Sequence, residues 1–141
     1  EGGRELPDGS LDGVREGLER LVGTSGPPTP PLDGDELREL VEGKWGKAYD
    51  TRLHRRRDGL GQMRIYLEVM WKHLHQRSFH LSEAQYMEQL DAVAELCSIW
   101  GCAEEVRKGI RECKKRPVLD TVGAKAVQIP LQVPEEALEV F

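Results

Sequence analysis

Cysteine, histidine and arginine are the residues of this 141-residue chain whose types and spacing could do chemistry. Cys97, Cys102 and Cys113 form a C-x4-C-x10-C pattern. A tetrahedral zinc site wants four ligands and usually a close C-x2-C pair, which this spacing lacks. Cys97 falls on an apolar helix face and Cys113 on the seam of the next helix, so both read as small buried hydrophobes. Cys102 precedes a predicted helix start, where a thiolate is favoured, and is the candidate reactive thiol. His73-Leu-His75 would place two imidazoles on one face of an extended segment, with His80 nearby. Without a third ligand and a supporting shell they read as surface or partner-facing groups rather than a metal site.

The densest cluster is cationic. Arg52, His54, Arg55, Arg56 and Arg57 lie within six residues, and Arg64, Lys72 and Arg77 follow. Across 52–77, seven lysines and arginines face only Asp58 and Glu68. Guanidinium forks suit carboxylate or phosphate partners. Four readings stay open: a solvated hairpin, a docking patch for an acidic surface, a nucleic-acid contact, and a cradle for the chain's own acidic N-terminal arm. No phosphate-loop, dinucleotide, nucleophile-elbow or H-E-x-x-H motif is present. Gly43-Lys-Trp-Gly-Lys47 has neither the spacing nor the hydroxyl of a phosphate loop. No nucleophile–base pair stands out, so no catalytic residue, metal ligand or cofactor is assigned.

Composition limits what can position these groups. With 38% hydrophobic and 32% charged residues the chain is globular, and no apolar run is long enough to span a membrane. The net charge of −5 argues against a dedicated nucleic-acid binder. Residues 1–43 carry −7 and residues 44–141 carry +2, so the acidity belongs to the first third. An odd cysteine count suits a reducing compartment. The first residue, Glu1, reads as the start of a processed chain whose targeting segment has been removed.

Three segments follow: an acidic arm at 1–31 with a short helix after Ser10 and a proline-rich linker, a domain at 32–133, and a tail at 134–141. In the domain, Asp33 and Glu36 fit a helix cap, and the helix runs from 34 to 43. Residues 47–57 read as a strand, Asp58-Gly59 as a turn, and 62–70 as the returning strand, with a helical turn beginning at Trp71. Ser82 and Gln85 form a capping box for a helix at 82–100 that stops at Gly101. A second helix spans 103–115, and a third strand lies at 126–131, which Pro130 demotes to an edge or to a short strand ending at Ile129. The fold class is α+β: a small antiparallel sheet of about three strands packed with three to four helices. Trp45, Trp71 and Trp100 read as core residues, with a partner-facing anchor as the alternative for Trp45.

These segments carry a resemblance. Lys44-Trp-Gly-Lys-Ala-Tyr-Asp50, Val69-Met-Trp-Lys-His-Leu74, Gln76-Arg-Ser-Phe79, Leu90-Asp-Ala-Val-Ala94 and Arg116-Pro117 followed by Ala126-Val-Gln-Ile-Pro-Leu131 resemble the family called domain of unknown function 3067, found in cyanobacteria and plastids. The likeness covers about 33–132. It departs in having His80 where the pattern has Pro and a longer linker at 120–124. The resemblance implies a chloroplast stromal protein of the photosynthetic lineage, peripheral on the stromal face of the thylakoid, and it supplies no catalytic residue. The expectation is a non-enzymatic interaction module, a peripheral subunit or assembly factor of a photosynthetic membrane complex. Its docking face would use Arg52, Arg55, Arg56, Arg57, Trp71, His73, Arg77 and Phe79, with protein partners, no nucleic acid and no membrane insertion. The alternative is a small stromal thiol-redox or metal-dependent enzyme using Cys102 or the histidines.

Overall fold

A computed structural model describes residues 29–141. The predicted helix after Ser10 and most of the proline linker lie outside the described residues. The elements run α1 (Gly34–Trp45), β1 (Tyr49–Arg57), β2 (Met63–His73), α2 (Glu83–Ile99), α3 (Ala103–Glu112), β3 (Val118–Leu119), β4 (Ala124–Lys125), β5 (Val127–Leu131) and α4 (Glu135–Val140). The class is α+β: three strands in the order β1-β2-β5, all antiparallel, and a separate β3-β4 hairpin.

Side-chain alternation decides which sheet face is covered. Ile65, Leu67 and Val69 of β2 pair with Leu131, Ile129 and Val127 of β5, and all six are buried. Their even-numbered neighbours Arg64, Tyr66, Glu68 and Met70 are half-exposed. The helices therefore occupy one face. Tyr86, Leu90 and Val93 of α2 and Val106 and Ile110 of α3 join the same core, as do Leu37 and Val41 of α1. On the opposite face, Arg52, His54 and Arg56 of β1 are exposed.

Two glycines set how closely the layers approach. A Cβ on Gly109 of α3 would lie 2.6 Å from Ile129 Cγ2 of β5. One on Gly34 would lie 2.9 Å from the Asp91 backbone nitrogen of α2. The helix ends follow the local signals. The Asp33 carboxylate accepts from Glu36 N at 2.8 Å, and Ser82 and Gln85 satisfy one another's backbone N–H groups at 3.1 and 2.9 Å. Beyond α2, Cys102 N donates to Cys97 O at 2.9 Å and Gly101 N to Ser98 O at 3.2 Å, with Gly101 at φ 76°. This left-handed exit brings the Cys97 and Cys102 side chains together, as its geometry requires.

Four expectations need correction. The residues 71–73 continue the strand, because Tyr49 pairs with His73 across a bulge at Tyr49–Thr51. The helix expected to 115 ends at Glu112, and the Cys113 sulfur accepts from Lys115 N instead. The 134–141 tail is part of the domain: it forms α4, buries Ala137 and sets Phe141 edge-on to Trp100, 5.9 Å between ring centres. The tryptophans are half-buried rather than fully inside. The long 120–124 linker is the turn of the β3-β4 hairpin, held by Asp120, whose carboxylate accepts from Val122 N and Gly123 N.

Candidate functional site

Strand geometry divides the predicted docking residues between the two ends of the sheet. Arg55, Arg56 and Arg57 lie at the hairpin, while Trp71 and His73 lie at the far end of β2. Tyr49 and Arg57 are eight residue steps apart along β1, about 26 Å at the usual rise. Alternation splits the arginines again. Arg52 and Arg56 share the open face, opposite Glu68 and Arg64, whereas Arg55 and Arg57 alternate to the helix side and remain exposed.

On the open face, Arg56 donates to Gln128 across the sheet, and its guanidinium carbon stands 5.5 Å from the Tyr66 ring centre. Gln128 in turn donates to Glu68 at 2.9 Å. Arg52 pairs with the buried Asp50 at 2.9 Å. Asp50 also accepts from Gln89 at 2.7 Å, so this arginine is committed to the fold at its inner end. Arg57 donates to the Gly61 carbonyl at 2.8 Å. Arg55 has no polar partner among the described residues. The turn is organised by Asp58, whose carboxylate accepts from Leu60 N, Gln62 N and Arg64 Nε at 2.8, 3.0 and 2.6 Å. The Arg64 bond, followed by the backbone donors, holds the Asp58 carboxyl below its ordinary range.

The other end holds a cleft of about 490 Å³ that opens to solvent. Lys47, Tyr49, Trp71, His73, Gln76 and Arg116 supply its polar and aromatic lining, and 117–119 close one wall. Its supports come from α1. Trp45 Nε1 donates to the Lys115 carbonyl at 2.9 Å and Lys44 Nζ to the Arg111 carbonyl at 2.8 Å, fixing the segment that carries Arg116. Gly46, at φ 88°, ends α1 and turns Lys47 toward β1. His73 Nδ1 lies 3.1 Å from the Leu74 carbonyl, which can only accept, so that nitrogen carries the hydrogen. Gln76 Oε1 accepts from His73 N at 3.1 Å, leaving its NH₂ as a donor. The cleft lining contains no carboxylate.

The other candidates lie apart from the cleft lining. Phe79 is half-buried against the core, edge-on to Tyr86 at 6.0 Å, and braces the loop rather than facing outward. Arg77 is exposed, one residue beyond the cleft lining. His75 lies 3.6 Å from Glu83, on the surface. Cys102, the candidate for a reactive thiol, is fully buried, as is Cys97. Hydrogen bonding to Cys102, then burial, pushes the Cys97 thiol up. Among the described residues no three His, Cys, Asp or Glu side chains gather as a metal site, and no helix is long and apolar enough to cross a membrane. Sequence reasoning named Trp71 and His73 but missed Lys47, Tyr49, Gln76 and Arg116 as their companions. The available signal was that all six belong to the segments carrying the family resemblance.

Comparison with known proteins agrees with that resemblance. The family model described as "Domain of unknown function (DUF3067)" matches residues 35–141. The chain is similar to the solution NMR structure of the Alr2454 protein from Nostoc sp. strain PCC 7120, at 44% identity and a TM-score of 0.60, covering 77% of this chain and 95% of that one. Curated proteins yield no match.

Proposed function

The chain belongs to the DUF3067 family, and from that premise we propose that it is a non-enzymatic protein-interaction module. It would act in the chloroplast stroma, on the stromal face of the thylakoid, as a peripheral subunit or assembly factor of a photosynthetic membrane complex. A relative in a cyanobacterium supports the lineage on which this location rests.

The observation that carries the reading is the exposed arginine run at the hairpin end of the sheet. Helices pack on one face only, and the other presents Arg52 and Arg56 beside Tyr66, with Arg55 and Arg57 exposed at the same end. An amphipathic ring under a guanidinium suits recognition: it offers apolar area and a charge-assisted donor at one place. The partner surface would be acidic, since complementary charge steers encounter and fixes orientation.

The test is affinity purification of the full chain from stroma and from solubilised thylakoids, with the recovered proteins identified. The expected result is one dominant membrane complex in the thylakoid fraction. Recovery of the chain alone from both fractions would contradict the proposal.

A further inference from the structure

The cleft at the far end of β2 is a second recognition element, separate from the arginine hairpin. Its chemistry is one-sided. The side chains of Lys47 and Arg116 have no ion-pair or hydrogen-bond partner among the described residues, and both residues are exposed. Gln76 contributes an oriented amide donor. Trp71 and Tyr49 supply ring surface between these donors, and Tyr49 is itself fixed: its carbonyl accepts from Tyr86 Oη at 2.8 Å and Thr51 Oγ1 at 2.9 Å. Cations unneutralised in place, with no carboxylate in the lining, call for an anion. A volume of about 490 Å³ exceeds what a bare inorganic anion fills and falls in the usual range of organic ligand sites, roughly 300–1,000 Å³.

Resting on the interaction-module reading, we infer that this cleft receives an acidic peptide segment of the partner protein. A carboxylate of that segment meets Lys47 and Arg116, and a neighbouring apolar side chain lies against Trp71. The peptide is favoured over an enclosed metabolite because the cleft opens to solvent. Trp45 and Lys44, by clamping the 111–115 backbone, act as positioning residues for Arg116.

The test uses the full ¹⁵N-labelled chain titrated with a capped Glu-Leu-Glu peptide, with Gln-Leu-Gln and inorganic phosphate as controls. Saturable shifts are expected at the Trp71 indole N–H and the Gln76 side-chain amide. Binding should weaken about tenfold in Lys47→Glu/Arg116→Glu and should fall with added salt. Both substituted positions are exposed, and the remaining backbone resonances report that the fold is kept. Equal binding of Gln-Leu-Gln would overturn the inference, because the cleft would then be an apolar groove. So would equal saturation by phosphate, which would make it a bare anion site, or shifts confined to the arginine hairpin. Failure of the parent reading looks different. If the wild-type chain recovers no protein partner, the module is lost whatever the peptide does. If partner recovery survives Lys47→Glu/Arg116→Glu but not reversal of Arg55, Arg56 and Arg57, the cleft alone is removed.

Discussion

At the scale of single residues, burial decides which side chains remain available for chemistry. Cys97 and Cys102 are fully buried where the chain leaves α2, whereas Cys113 is half-exposed beyond α3. Native-state alkylation at neutral pH is expected to label Cys113 first, with the other two protected until the protein unfolds. Mass spectrometry of the time course checks this, and rapid labelling of Cys102 would restore the thiol-chemistry alternative. Sequence spacing placed Cys102 at a helix start correctly. It could not reveal that the left-handed turn at Gly101 folds that thiol inward against Cys97. Asp58 gives the clearest pH dependence. Its carboxyl is held low by Arg64 and two backbone donors, so it favours the folded hairpin above the ordinary carboxylate range of about 4. That contribution is lost as pH falls through the lowered folded value. Carboxyl ¹³C NMR should show Asp58 titrating below a model aspartate, and Arg64→Gln should move it upward.

At the scale of elements, the sequence was most legible where short-range hydrogen bonding sets a boundary. The capping box at Ser82 and the cap at Asp33 were readable because both partners lie within three residues. Ser82→Ala is expected to cost about 1 kcal/mol, read from denaturant unfolding. The strands were readable from alternation, but the end of β2 was not, since Trp71-Lys-His73 becomes strand through pairing with Tyr49 across a bulge. The short α4 was missed because six residues give too little periodicity, and the Ala137 burial that holds it comes from distant contacts. Gly109 is a packing element in the same sense. Gly109→Ala gains about 1 kcal/mol of helix propensity, yet its methyl must displace Ile129 in a filled layer. The expected net effect is a loss of about 1–2 kcal/mol, seen as a lower Tm. A higher Tm would mean that α3 and β5 can separate slightly at no cost.

Arg107 shows how the elements are tied into one molecule. It is nearly buried on α3 and pairs with Glu36 of α1 through Nε at 2.6 Å and Nη2 at 3.0 Å, while Nη2 also reaches the Pro31 carbonyl at 3.1 Å. Arg107→Ala is expected to cost about 2 kcal/mol in thermal or denaturant unfolding, because the lost bonds are charge-assisted and the arginine stem also packs. Its distance in sequence from Glu36 hid this link, and the same barrier hid the cleft. Lys47, Trp71, Gln76 and Arg116 come from four separate segments, and only the sheet and the α1 clamps bring them together. Conversely, the arginine run looked like one patch in sequence but is distributed over two faces by alternation. The molecule thus presents a helix-covered core and two separated basic features at opposite ends of its sheet. The central claim, recognition of an acidic partner through the exposed arginines at the hairpin end of the sheet, is tested most directly by quantitative co-purification with Arg55→Glu/Arg56→Glu/Arg57→Glu. The variant should keep the wild-type circular dichroism spectrum and lose at least tenfold of the partner recovered; undiminished recovery would contradict the account.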